Sequence, residues 1–183
     1  MTTLDSSFAP TRCIQEAFDA DEHAQNLTRW QQEYDQLSPG SFYGRLDEVA
    51  LETMQVFKEH TGQALRQDCR VWPESLWIGI PTTHQGSRIN GQALSAGEVM
   101  CRPGGRDFEL VTPEGFDIYG LVIQLPALTA AAKRQGSAWI HTGTPCPVAK
   151  RPVTPCAPCR SSLNVYSPVR RCPSPAISIK TFC

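Results

Sequence analysis

Between Ser41 and Gln124 the side chains alternate in character every second position, in short runs that turn residues interrupt. This pattern constrains the fold more than any other feature. Period two is the alternation of a strand's two faces. Short strands separated by glycine- and proline-bearing turns assemble into a sandwich or barrel rather than βαβ units. Phe42, Gly44, Leu46 and Glu48 alternate with Tyr43, Arg45, Asp47 and Val49. Met54, Val56 and Lys58 follow, set against Gln55, Phe57 and Glu59, and the first of these sets reads as the apolar one. Strands at 64–71 and 76–80 come next, with Pro73 and Pro81 as punctuation because proline cannot donate to a central ladder.

The same rhythm continues towards the C-terminus. Asn90-Gly91 is the strongest short hairpin signal. Strands are predicted at 98–101, 108–111 and 117–124. Arg102-Pro103-Gly104-Gly105 and Pro113-Glu114-Gly115 turn the chain between them. Pro126 opens a helix that ends in Lys133 and Arg134, where the dipole favours cations. An earlier helix is predicted from Asp19, an N-cap with Glu22 three residues on. Ala24, Leu27, Trp30, Tyr34 and Leu37 lie at helical spacing, and Ser38-Pro39-Gly40 ends it. Residues 1–17 read as a flexible arm. About eight strands and two helices make a mainly β (α+β) fold: a double-stranded jelly roll with an N-terminal helix and a helix after the last strand.

A compositional break falls near residue 135. Residues 1–135 carry all 18 acids against 11 Lys and Arg, a net of −7, whereas residues 136–183 carry 6 basic residues and no acid. The tail also holds five of the eight cysteines and eight of the fifteen prolines. The domain prediction is therefore an arm (1–17), one folded domain (18–135) and a basic Cys/Pro-rich tail (136–183) expected to be disordered. No apolar run of about 18 residues suggests a membrane span, and the N-terminus lacks the pattern of a secretory signal. A cytoplasmic location is expected.

The tail supports several chemistries weakly. Cys156-Ala-Pro-Cys159 is a CxxC, and with Cys146, Cys172 and His141 a zinc site can be drawn. A second CxxC or an HxxxH is missing, as is a supporting apolar pattern. The preferred reading is out-of-frame translation of GC-rich coding sequence, which removes every acid at one point. Trp139-Ile140 is encoded TGG-AT-, so the frame starting at the third base reads GAT, aspartate.

The body offers little for catalysis. His23, His60 and His84 form no His-x-His pair; His23 is placed on the polar side of the first helix, His60 at a strand end and His84 in a loop. Clustered ligands for a metal are not evident. No nucleophile elbow, phosphate loop or dinucleotide fingerprint occurs. Cys69 reads as a reduced thiol packed in a β core. Enzymatic activity is not expected. For small-molecule binding the candidates are Phe57, Trp77 and Tyr119 as aromatic lining, with Trp77 stacking on a cationic amine and Glu109 as its carboxylate partner. Each also reads as ordinary core or surface.

Several blocks in order carry a resemblance: TRWQQEYDQLSPG (28–40), FYGRLDEVAL (42–51), MQVFKEHTGQALRQ (54–67), VWPESLWIGIP (71–81), RPGGRDFELVTPE (102–114) and FDIYGLVI (116–123). Over roughly residues 18–125 the chain resembles the sensor half of AraC-type transcriptional regulators, in the branch that governs ethanolamine operons. The resemblance implies that 18–135 is a cupin-like effector-binding and dimerisation domain, with ethanolamine and adenosylcobalamin as effectors, a homodimer, and operator DNA as a partner through a C-terminal helix-turn-helix domain. No counterpart of that domain is legible here, so DNA-binding residues are not assigned and the chain is expected to be truncated. The alternative is a stand-alone cupin-like small-molecule-binding protein or a metal-dependent cupin enzyme.

Overall fold

The computed structural model describes residues 11–135 except residue 84, together with the backbone of 148–150. His84, His141, Cys146, Cys156, Cys159 and Cys172 lie outside the described residues, as do residues 1–10 and the tail readings that depend on 151–183. Twelve strands and two helices are described. They are β1 (Thr11–Ala17), α1 (Ala20–Ala24), β2 (Gln31–Gln36), β3 (Gly44–Ala50), β4 (Met54–Thr61), β5 (Leu65–Arg70), β6 (Ser75–Pro81), β7 (Arg88–Ile89), β8 (Gln92–Ala93), β9 (Glu98–Pro103), β10 (Asp107–Thr112), β11 (Phe116–Gln124), α2 (Leu125–Arg134) and β12 (Val148–Lys150). One sheet has the order β1-β3-β4-β11-β6-β9-β12, the other β2-β5-β10-β7-β8. Every pairing is antiparallel. The fold is the mainly β, jelly-roll-like α+β architecture read from the alternation. Among the described residues no helix is long and apolar enough to cross a membrane.

Alternation decides which residues enter the core. Leu65, Gln67 and Cys69 of β5 point inward while Arg66, Asp68 and Arg70 are exposed. Gly44, Leu46 and Glu48 do the same on β3. The Asn90-Gly91 turn joins β7 to β8 with φ of 47° and 76°, the left-handed pair that a tight hairpin turn needs. α2 begins with Pro126 in its first turn and ends in Lys133 and Arg134.

Four expectations differ from the structure. Residues 11–17, read as arm, form β1 and pair along their whole length with β3. Their sequence lacks an apolar period because charge ties this edge strand down. Arg12 Nε donates to Asp47 Oδ1 at 2.8 Å, and Arg45 and Tyr43 both donate to Glu16 Oε1 at 2.8 Å. The helix predicted over 19–37 stops at Ala24. Asp19 does cap it, its Oδ1 accepting from the amides of Asp21 (2.9 Å) and Glu22 (3.1 Å). Asn26 and Thr28 are weak helix formers, Arg29 turns left-handed at φ 66°, and residues 31–36 instead pair with β5. Trp30 and Tyr34 therefore do not share a helical face.

The third difference is the phase of β4: Gln55, Phe57, Glu59 and Thr61 face inward, and Met54, Val56 and Lys58 face out. In the tail, where no regular structure was expected, the backbone of β12 pairs with β9.

Candidate functional site

Four aromatic rings meet between the sheets. Gly79 and Gly120 stand opposite each other on β6 and β11, and Phe57 on β4 stands opposite Gly120. Without side chains on the two glycines, two large rings lie flat over them. A Cβ on Gly79 would sit 2.5 Å from Trp77 Cζ2, and one on Gly120 would enter the Phe57 ring. Trp77 then stacks on Phe108 of the opposite sheet, centroids 5.0 Å apart and planes at 18°. Trp30, from the connection between α1 and β2, packs edge-on against Phe57 and Trp77 at 5.7 Å and against Phe108 at 6.4 Å. Edge-to-face and offset contacts of this kind favour the rings beyond their buried area.

Polar groups close one side of the cluster. Glu59 follows Phe57 by two positions, so it shares that inward face. Its Oε1 accepts from the Tyr34 hydroxyl at 3.0 Å, and that hydroxyl accepts from Gln32 Nε2 at 2.9 Å. Gln32 Nε2 also reaches Cys69 Sγ at 3.5 Å. His23 was placed on a polar surface by sequence, but it is buried, its Nε2 3.1 Å from Glu59 Oε1. It fits because Gly44 beneath it has no Cβ, which would lie 2.5 Å from Nδ1. Burial raises the Tyr34 hydroxyl well above its ordinary pKa and pushes the Cys69 thiol up to about 12. Cys69 is therefore a packed thiol and not a nucleophile.

The void among these groups is about 10 Å³, room for about one water. Trp30, Phe57, Trp77, Phe108, Gln32, Glu59 and Gln67 line it. Gln32 Oε1, Gln67 Nε2 and Trp77 Nε1 are buried and have no hydrogen-bond partner among the described residues. Buried polar atoms normally find partners. Three such atoms on residues around one void mark a place suited to a small polar guest.

A second carboxylate lies beside the connection between α1 and β2. Glu48 is buried, and its Oε1 accepts from Gln55 Nε2 at 2.8 Å and from the Thr28 hydroxyl. Glu48 Oε2 accepts from the Thr28 amide at 3.3 Å. A surface pocket of about 30 Å³ runs past Thr28, Arg29, Glu48, Gln55, Trp72 and Gln124.

Two of the four sequence candidates come together, Phe57 and Trp77. Glu109 faces outward on β10, its Oε2 3.2 Å from Arg66 Nε. Tyr119 faces outward on the other sheet, 45% exposed, with Lys58 Nζ 5.8 Å from its ring centroid. The carboxylate beside the rings is Glu59, not Glu109. Sequence reasoning missed Glu59, Gln67, Gln32, Phe108 and Trp30. Phe57 was read as lining, and the strand period of two places Glu59 on that same face.

His60 lies on the outer face, Nδ1 3.4 Å from Asp117 Oδ1. Among the described residues no group of three or more His, Cys, Asp or Glu is placed to hold a metal ion. No protein-family model matches the sequence. Among solved structures the chain is similar to the crystal structure of the AraC-like transcriptional activator CuxR, with a TM-score of 0.48 and 14% identity. The match covers 69% of this chain and 52% of that one, so the chain spans about half of that protein's length. A likeness at this level carries no argument about function.

Proposed function

We propose that residues 11–135 are the effector-sensing domain of an AraC-type transcriptional regulator of the ethanolamine-operon kind, and that the space between the sheets takes the amine effector. The observation that carries this is the buried carboxylate of Glu59 beside Phe57, Trp77 and Phe108. A carboxylate next to aromatic faces is the chemistry that holds a small ammonium ion. Gln32 Oε1 and Gln67 Nε2, which have no partner among the described residues, suit the hydroxyl of ethanolamine. The ordered sequence blocks over residues 28–123 support the regulator class. Adenosylcobalamin, the second effector this reading implies, far exceeds the inter-sheet space and is assigned no seat there. Operator contact belongs in this reading to a helix-turn-helix domain, and a homodimer is part of the same proposal.

The test is calorimetric titration of the purified chain with ethanolamine and with ethylene glycol, its neutral near-isostere. Ethanolamine binds and ethylene glycol does not. Glu59→Gln weakens ethanolamine binding by about 10- to 100-fold, the loss of one charge-assisted partner. Equal response to the two ligands, or an unchanged affinity in Glu59→Gln, sinks the assignment.

A further inference from the structure

A void that holds one water does not hold a four-atom amine, so a ligand between the sheets requires a side chain to leave. Phe57, Trp77 and Phe108 sit within hydrogen-bonded strands. Trp30 does not. It lies in the connection before β2, follows the left-handed Arg29, and is half-buried where Phe57, Trp77 and Phe108 are buried.

The anchors of this connection are mostly side-chain contacts. Trp30 Nε1 donates to Gln55 Oε1 at 2.9 Å. Gln55 Nε2 donates onward to Glu48 Oε1 and to the Thr28 carbonyl at 3.1 Å. Thr28 donates its amide and hydroxyl to Glu48. The Arg29 guanidinium lies over the Trp72 ring at 4.5 Å. One backbone bond, Trp30 N to Leu27 O at 3.5 Å, is local to the loop. No strand ladder has to break for residues 28–30 to move.

We propose that Trp30 is a built-in occupant of the effector seat, a stopper latched by Glu48 and Gln55, which the effector displaces when it binds among Phe57, Trp77 and Phe108. This rests on the effector reading above for the identity of the ligand, but the stopper itself does not. When Trp30 swings out, the ring surfaces of Phe57, Trp77 and Phe108 that it covers become reachable, together with the polar ends of Gln32, Gln67 and Glu59. The effector binds only the open form, so its apparent affinity is lowered by the fraction open. Weakening the latch raises that fraction and tightens binding by the same factor.

The experiment is hydrogen exchange of the indole and backbone N–H groups in the full chain, followed by NMR of uniformly ¹⁵N-labelled protein. Protection of Trp30 is compared with that of Trp77 and of the β11 amides at Ile118 and Val122. Local opening makes Trp30 at least 100-fold less protected than those amides. Gln55→Met removes the acceptor for Trp30 and one donor to Glu48 at similar volume. It lowers Trp30 protection about tenfold further, leaves β11 unchanged, and tightens ethanolamine binding about tenfold. If Trp30 and β11 show equal protection in both proteins, Trp30 is fixed core and the stopper is refuted, whether or not ethanolamine binds. If Trp30 opens locally and responds to Gln55→Met while ethanolamine fails to bind, the stopper stands and the effector assignment falls.

Discussion

Gly120→Ala tests whether the aromatic floor is built as described. In a strand, alanine in place of glycine is ordinarily favourable by about 0.5–1 kcal/mol, because glycine loses more backbone freedom on folding. Here the new methyl would point between the sheets, into the ring of Phe57, with Cζ and both Cε atoms as its nearest neighbours. Phe57 is buried and has Trp30 edge-on at 5.7 Å, so its ring has little room to retreat. Overpacking of this kind costs about 1–3 kcal/mol. The clash outweighs the backbone gain, and Gly120→Ala is expected to destabilise by about 1–2 kcal/mol. The partner is named by the geometry, so a double-mutant cycle isolates it. In a Phe57→Leu background the ring is gone, and Gly120→Ala becomes neutral or stabilising, a coupling of about 1–3 kcal/mol. Urea unfolding of the four proteins measures this, with the midpoint shift read at constant m-value. A Gly120→Ala protein as stable as wild type with Phe57 intact would refute the reasoning.

Three further outcomes are expected. Iodoacetamide at pH 8 labels the exposed Cys13 while Cys69 stays unmodified in the folded protein, because a thiol pushed up to about 12 is only about 10⁻⁴ thiolate; peptide mapping that finds Cys69 labelled at the rate of Cys13 contradicts the buried site. Gln67→Leu removes a buried amide whose nitrogen has no partner among the described residues, so it stabilises the fold by about 1 kcal/mol in thermal unfolding; a loss of stability instead means that the amide is satisfied. Glu16 and Asp47 lie below their ordinary values of 4.5 and 3.8, Glu16 through hydrogen bonds from Tyr43 and then Arg45, and Asp47 through its hydrogen bond from Arg12. Their contribution is therefore intact above those ordinary values and lost as pH falls through the depressed ones, so the amide signals of β1 leave their folded positions on acidification before those of β11, and simultaneous loss counts against edge-strand pairing by charge.

The sequence was most legible where one face of a strand is apolar and the other polar. β5 comes nearest to that rule, with Arg66, Asp68 and Arg70 outside, β11 is legible as the longest apolar run, and the Asn90-Gly91 hairpin follows from the φ its turn needs. It was least legible in three places. β1 is an edge strand held by Arg12, Arg45 and Tyr43, so it carries no apolar period. β2 contains Tyr34 at a spacing from Leu27 and Trp30 that fits a helix equally well. Only its pairing with β5, a contact more than thirty residues away in sequence, decides the matter. β4 was assigned the wrong phase because Met54 and Val56 are more apolar than Gln55 and Glu59, the residues that flank Phe57 on the buried face.

That last error and the location of the site have one origin. Burying Glu48, Gln55, Glu59 and Gln67 in the space between two sheets opposes folding unless their hydrogen bonds are satisfied. Those of Glu48 and Gln55 are satisfied by Thr28 and Trp30, in the connection before β2. Glu59 finds Tyr34, whereas Gln32 Oε1 and Gln67 Nε2 are left over beside the rings. A core selected for stability alone would place leucine at those positions. The polar groups are tolerated where Gly79 and Gly120 clear a floor for two rings and where one tryptophan from a loop fills the space above. A hydrophobicity rule fails at such a position because, in the effector reading proposed above, the residues there answer to a guest as well as to the fold.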